Sequence, residues 1–146
     1  MPAHEIDYRL IGEEMQAVEI ELDPLETTIA EPGSFMMMES GIRMETLLGD
    51  GSRENESFLG KVWNAGKRAL TGEGLFMTAY SNEDSVKRKV YFASPYPGKI
   101  IPIDLKDFGG KIICQKDAFL CAAKGVSVSL EFRKKIGAGL FGGEGF

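Results

Sequence analysis

Residues that build most catalytic and metal sites are scarce in this sequence. Its 146 residues include a single histidine, His4, and two cysteines, Cys114 and Cys121. A Ser-His-Asp or Cys-His arrangement needs an imidazole held beside the nucleophile, whereas His4 lies in a terminal segment that we expect to be mobile. Nitrogen, sulfur and carboxylate groups do not cluster at metal-ligand spacing either. We therefore predict a protein that is not an enzyme and that has no cofactor and no metal site.

Long apolar runs and targeting signals are also missing. No stretch approaches the roughly 20 apolar residues that span a bilayer. The chain begins MPAHEID, which is acidic and contains neither the apolar core of a secretion signal nor an arginine-rich transit pattern. We therefore predict a cytoplasmic protein. In that compartment Cys114 and Cys121 are expected to be free, buried thiols, although a turn at 116–118 would place them opposite each other on a hairpin.

Acidic and basic residues are unevenly divided along the chain. The net charge is −5, but residues 1–57 contain fourteen acids and three lysines or arginines, whereas residues 58–146 contain eight acids and fourteen bases. The two parts therefore attract each other, within one chain or between copies. An acidic protein without strands that combine basic and aromatic residues lacks the surface that supplies most nucleic-acid affinity. We therefore predict no nucleic-acid partner.

An internal duplication is the most informative pattern in the chain. The run from Ile29 to Met38 returns about 84 residues later as the run from Ile113 to Ala122, with Ile and Phe at matched positions. Upstream, residues 18–22 match residues 101–105. Paired repeats predict that the segments beginning at Ile29 and Ile113 have the same conformation.

The offset between the two copies places the repeat boundaries. It falls to about 71 residues further on, so the first copy contains a polar insertion near 49–61. We therefore divide the chain into a first β repeat at 1–86 and a second at 87–146. The second copy stops inside a strand pattern, and we expect these 146 residues to be part of a longer protein.

Period-two alternation of apolar residues dominates the sequence and predicts β-strands separated by Gly, Pro, Asn and Asp. The alternating segments are Ile6–Leu10, Val18–Leu22, Phe35–Met37, Ile42–Met44, Leu75–Met77, Val90–Phe92, Ile101–Leu105, Ile112–Cys114, Phe119–Cys121 and Val126–Phe132. One stretch, 58–70, has helical spacing instead. We predict an all-β fold, a double-stranded β-helix or β-sandwich built from internal repeats, with one short helical excursion.

Three features could form a binding surface. Met36, Met37 and Met38 could be an adaptable surface, but alternation favours core packing. The apolar side chains of the predicted helix could contact a partner or a membrane surface, or pack on the chain's own sheet; they are Phe58, Leu59, Val62 and Trp63. The repeated Gly-Glu-Gly places Glu73 and Glu144 at matched positions, where we expect a structural role.

Three quoted segments carry a resemblance to a known family. They are EPGSFMMM at 31–38, the spaced frame from Phe58-Leu59-Gly60 through GEGLFM at 72–77, and LFGGEGF at 140–146. Together they resemble bacterial members of the altered-inheritance-of-mitochondria protein 24 family. The resemblance implies a fold like that of the tryptophan RNA-binding attenuation protein, a double-stranded β-helix with a third repeat. It also implies a link to inner-membrane organisation in mitochondrial members, and it supplies no catalytic residues.

These observations favour a structural or interaction protein over an enzyme. We predict that the chain self-associates through β surfaces as a homo-oligomer. The alternatives are a small-ligand or lipid-binding β-barrel and a scaffold associated with a membrane surface. The sequence names neither the ligand nor the protein partner.

Overall fold

The computed structural model describes residues 3–48, 76–115 and 117–129. In these ranges the chain forms eight β-strands and two short 3₁₀-helices, and no α-helix. The strands are β1 Asp7–Ile11, β2 Ala17–Leu22, β3 Thr27–Ala30, β4 Phe35–Met38, β5 Ile42–Leu48, β6 Phe76–Asn82, β7 Arg88–Ala93 and β8 Cys121–Ala123. The 3₁₀-helices are Pro32–Ser34 and Leu105–Phe108. The all-β prediction is confirmed.

The strands form two four-stranded sheets in which every pair is antiparallel. Sheet A has the order β1-β2-β7-β4, and sheet B has the order β5-β6-β3-β8. This pairing is a two-sheet arrangement, and the narrower double-stranded β-helix stays a prediction. Within the described ranges no helix is long and apolar enough to cross a membrane.

The main core lies between the two sheets. Sheet A contributes Val18, Ile20, Leu22, Val90 and Phe92 to this core. Sheet B contributes Ala30, Ile42 and Tyr80. The Tyr80 ring meets Phe92 edge-on with ring centroids 5.1 Å apart, and Phe35 stacks on the same ring at 5.4 Å. Aromatic pairs at these distances add to the stability that apolar burial provides.

Sheet B is also apolar on its second face. Ile29 and Met77 are buried there together with Ala79, and Phe119 and Ala122 pack against them. All four residues of β3 are therefore buried. A strand covered on both faces shows no period-two alternation, which explains why the sequence pattern did not identify β3.

Part of the second sequence copy does not form the predicted strands. Residues 101–104 and 111–115 belong to no strand, and residues 126–129 form none either. The Asp104 carboxylate accepts the Lys106 N–H at 3.0 Å, and Gly109, with φ of 68°, ends the 3₁₀-helix that follows. Local capping thus replaces the strand predicted through Leu105.

The prediction that the segments beginning at Ile29 and Ile113 have the same conformation is wrong at their starts. Ile29 lies in β3 and is fully buried, whereas Ile113 is half exposed outside any strand. Both cysteines are free, as expected, but the prediction that both are buried is wrong for Cys114. Cys114 lies in the exposed segment before Lys116, while Cys121 lies half-buried in β8. The division into repeats at 1–86 and 87–146 stays a prediction.

Candidate functional site

Most of the site residues predicted from the sequence lie outside the described residues. They are Phe58, Leu59, Val62, Trp63, Glu73 and Glu144. Their contact and structural roles therefore stay predictions. The third predicted feature, the methionine run, lies within the described residues and forms β4.

The methionines of β4 are exposed, so the prediction that they pack in the core is wrong. Phe35 points inward onto Tyr80, but the pairing of β4 with β7 shifts between Phe35 and Met37. Beyond this irregularity Met36 and Met37 are 53% and 54% exposed, and Met38 is 37% exposed. The reason is position: β4 is an edge strand, and no other described strand pairs with its outer side.

Edge strands differ in how well their free backbone groups are protected from pairing with another chain. Strand β1 carries Asp7 and Arg9, strand β5 carries Arg43 and Glu45, and strand β8 has only three residues. Charges and shortness are the usual protections of an edge. Strand β4 has four residues, FMMM, and no charge. Among the four edges of the described sheets, β4 is the least protected.

The outer face of sheet A is a network of ion pairs centred on Glu19. The Glu19 carboxylate is 2.9 Å from the Arg9 guanidinium and 3.1 Å from Lys89 Nζ. Hydrogen bonds from Arg9, Lys89 and the Tyr91 hydroxyl lower the pKa of Glu19 from 4.5 to about 2. The carboxylate therefore stays ionised at neutral pH, and its partners occupy it fully.

Lys87 binds three carboxylates at the rim of the same face. Its Nζ lies 3.0 Å from Glu21, 3.2 Å from Asp23 and 3.6 Å from Asp7, and the Glu21 and Asp23 contacts raise the pKa of Lys87. Among the described residues no group of three or more ligating side chains could hold a metal ion. The charges of this face neutralise one another, so we place no ligand there.

An open groove lies beside the start of β4. Ile11, Met15, Met36 and Tyr96 contribute to its lining, and its volume is about 270 Å³. Pockets that bury drug-sized ligands are usually about 300–1,000 Å³ and largely enclosed. The groove extends the exposed apolar surface of β4 rather than forming a separate ligand cavity.

His4 is anchored, contrary to the expectation of a mobile terminus. The imidazole Nδ1 of His4 accepts the Thr27 N–H at 3.1 Å, and the backbone N–H of His4 donates to the Lys124 carbonyl at 2.8 Å. The imidazole thus contacts backbone rather than a nucleophile. Burial raises the pKa of the Cys121 thiol to about 12, which keeps it protonated and unreactive.

Comparisons with known proteins agree with the resemblance stated above. The family described as mitochondrial biogenesis AIM24 matches residues 8–146. Among solved structures, the crystal structure of protein SPYM3_0169 from Streptococcus pyogenes is similar, with a TM-score of 0.53 and 20% sequence identity. That similarity covers 82% of this chain and 50% of the other, so this chain spans about half the length of that protein. No curated protein matches.

Because the sequence identity is only 20%, the similarity to this solved structure supports the fold alone. Family membership depends instead on the match along nearly the whole chain, which includes both the exposed methionine strand and the segments quoted from the sequence. This chain belongs to the AIM24 mitochondrial biogenesis family.

Proposed function

We propose that this chain is a non-enzymatic structural or interaction protein that self-associates through the free edge of β4. The observation that carries the proposal is the uncharged, exposed sequence Phe35–Met38 on an edge strand. An unpaired strand edge presents a row of N–H and C=O groups to which another chain can add a strand.

Other edges of the described sheets support the same choice by contrast. Arg9 on β1 forms an ion pair with Glu19, and Arg43 on β5 forms one with Glu83 at 2.7 Å. An incoming strand would have to displace or desolvate these charges, which costs free energy. On β4 it would displace only water.

The energetics indicate a weak contact when β4 acts alone. Complete burial of an exposed methionine stabilises by about 1.5–3 kcal/mol, so half-exposed Met36 and Met37 contribute about 1 kcal/mol each. New backbone hydrogen bonds add about 0.5–1.5 kcal/mol each. Association costs roughly 4–15 kcal/mol in lost translational and rotational freedom. A stable assembly therefore needs a second surface in addition to β4.

Catalysis is less well supported by the described residues than assembly is. His4 is bound to backbone, Cys121 is protonated, and the carboxylate of Glu19 is held by cations. A small-ligand barrel is also less supported, because the groove beside Met36 is small and open. We propose a cytoplasmic location and no nucleic-acid partner on the sequence grounds given above.

The test is light scattering after size-exclusion chromatography, over a wide concentration range. Wild type should show a mass above that of the monomer that rises with concentration. Met37→Lys should shift the dissociation constant at least tenfold, about 1.4 kcal/mol, because the lysine places a charge in the middle of the edge.

A matched control separates this effect from a general effect of surface lysines. Val86 is 52% exposed in the turn between β6 and β7, close to the 54% of Met37. Val86→Lys should therefore assemble like wild type. A wild-type protein that stays monomeric at every concentration would contradict the proposal.

A further inference from the structure

We infer that the surface that receives β4 is the segment 99–104 of a second copy of this chain. The inference rests on the proposed function, because it names the partner surface of the same edge. This segment reads Lys-Ile-Ile-Pro-Ile-Asp, and the sequence pattern predicts a strand there. In the described part of the chain it forms no strand.

One backbone group of the segment is used within the chain. The Ile100 N–H donates to Gln16 Oε1 at 2.8 Å. Pro102, two residues further on, has no N–H, so it adds no unsatisfied donor. The N–H groups of Ile101 and Ile103 form no hydrogen bond with another backbone group of the described residues.

Residues 101–104 of the segment are exposed, and the residue before them is half-buried. Ile100 packs against the main core, whereas Ile101 is 77% exposed and Ile103 is 40% exposed. Asp104 has extended dihedral angles, with φ of −88° and ψ of 118°, and the 3₁₀-helix begins directly after it. The segment thus presents two exposed isoleucines, Ile101 and Ile103, over about four residues, which matches the length of β4.

Charge favours an antiparallel arrangement of the two surfaces. Glu39 directly follows β4, and Lys99 directly precedes Ile100, so antiparallel pairing brings these two opposite charges together. One oxygen of Glu39 accepts the Lys89 N–H at 3.0 Å, which leaves the other for a partner. Lys99 makes no ion pair within the described residues. The wider division of charge, acidic in 1–57 and basic in 58–146, acts in the same direction.

A contact between two unlike surfaces also supplies the second surface that the energetics require. In a symmetric dimer, β4 of each copy contacts the 99–104 segment of the other, so the contact forms twice. In a ring, each copy contacts one neighbour through β4 and the other neighbour through its 99–104 segment. In either closed arrangement every copy buries both its β4 edge and its 99–104 segment. The exposed isoleucines therefore add to the burial that the methionines provide.

A mixing experiment tests this inference by native mass spectrometry and light scattering. Ile101→Asp should raise the dissociation constant at least tenfold, as should Met37→Lys, because each variant loses one of the two surfaces. An equimolar mixture of the two variants should form a mixed complex, because one supplies an intact 99–104 segment and the other an intact β4. Formation of the mixed complex would also show that both variants are folded.

Ile113→Asp is the matched control, because Ile113 is 50% exposed and lies outside the segment. It should assemble like wild type. If Ile101→Asp assembles like wild type while Met37→Lys does not, this inference is wrong and the proposed function stands. If the mixture stays monomeric although both variants are folded and wild type assembles, the pairing of unlike surfaces is also wrong. A monomeric wild type overturns both proposals.

Discussion

Single residues of sheet A show how charge is accommodated on an otherwise solvent-facing surface. Glu19 is only 6% exposed, although it lies on the outer face, because Arg9 on β1 and Lys89 on β7 cover it from both neighbouring strands. The pairing register explains this geometry, since Arg9 lies opposite Glu19 and Lys89 lies opposite Glu21. Cross-strand pairs of opposite charge stabilise a sheet when both partners are held in place.

Glu19→Gln should destabilise the fold, because it leaves two cations facing each other across a neutral amide. The folded-state pKa of Glu19 is lowered from 4.5 to about 2. The carboxylate therefore contributes its stability fully above about pH 5, and this contribution is lost as the pH falls toward 2. Urea unfolding should show a difference in unfolding free energy between wild type and variant that shrinks between pH 5 and pH 3.

Glu45→Gln provides the comparison for that experiment. Glu45 is exposed and lies 3.6 Å from Arg43, in a pair that solvent screens. Its substitution should change stability little at any of these pH values. A Glu19 variant whose deficit stays constant from pH 7 to pH 3 would contradict the assignment of the lowered pKa.

Leu25 has a backbone conformation that is unfavourable for leucine. The turn Asp23-Pro24-Leu25-Glu26 closes with a Glu26 N–H to Asp23 carbonyl bond of 3.0 Å, and Leu25 has φ of 71°. This is the third position of a type II turn, which favours glycine or asparagine. Leu25 is also 82% exposed, so its side chain contributes little packing.

Leu25→Asn should therefore stabilise the protein by about 0.5–1 kcal/mol, since asparagine tolerates positive φ better than leucine does. Denaturant unfolding at a fixed low protein concentration is the measurement. Leu25→Ala is the control, because alanine removes the same exposed side chain but keeps the unfavourable conformation. Equal effects of the two substitutions would contradict the turn-strain explanation.

At the scale of secondary-structure elements, burial on one or both faces decides which strands the sequence reveals. Strands β1, β2 and β7 were predicted by alternation, because each has one core face. Strand β6 is buried on both faces, and alternation predicted only its start, at Met77. Strand β3 was missed because it is buried on both faces. Residues 101–104 were predicted as a strand and form none, because alternation indicates a strand-competent segment but does not supply its pairing partner.

Strand β4 has two separate roles that substitutions should distinguish. Phe35→Ala removes the ring that stacks on Tyr80 and should cost about 2 kcal/mol of unfolding free energy, less than a fully buried phenylalanine because Phe35 is 37% exposed. Met37→Ala should change the unfolding free energy by less than about 0.5 kcal/mol, because Met37 is exposed. Unfolding curves of dilute protein provide the measurement, and equal losses would contradict the assigned orientation of β4.

At the scale of the whole molecule, the described structure exposes two apolar surfaces, the β4 edge and the 99–104 segment. Acidic and basic residues are also unevenly divided along the chain. The β4 edge is followed by the acidic Glu39, whereas the 99–104 segment begins with the basic Lys99. The similarity covers only half of the Streptococcus pyogenes chain, and it concerns the fold. The mixing experiment therefore tests assembly in this chain directly rather than through its relatives.

The sequence by itself determined the all-β class, the family and most one-sided strands, because alternation and spaced motifs are local properties of the chain. Tertiary structure alone decided that Met36, Met37 and Met38 are exposed and that His4 is anchored to Thr27. It also decided that Ile29 is buried while its matched residue Ile113 is not. The physical reason is that the position of a strand in its sheet, central or at the edge, depends on partners that are distant in the sequence.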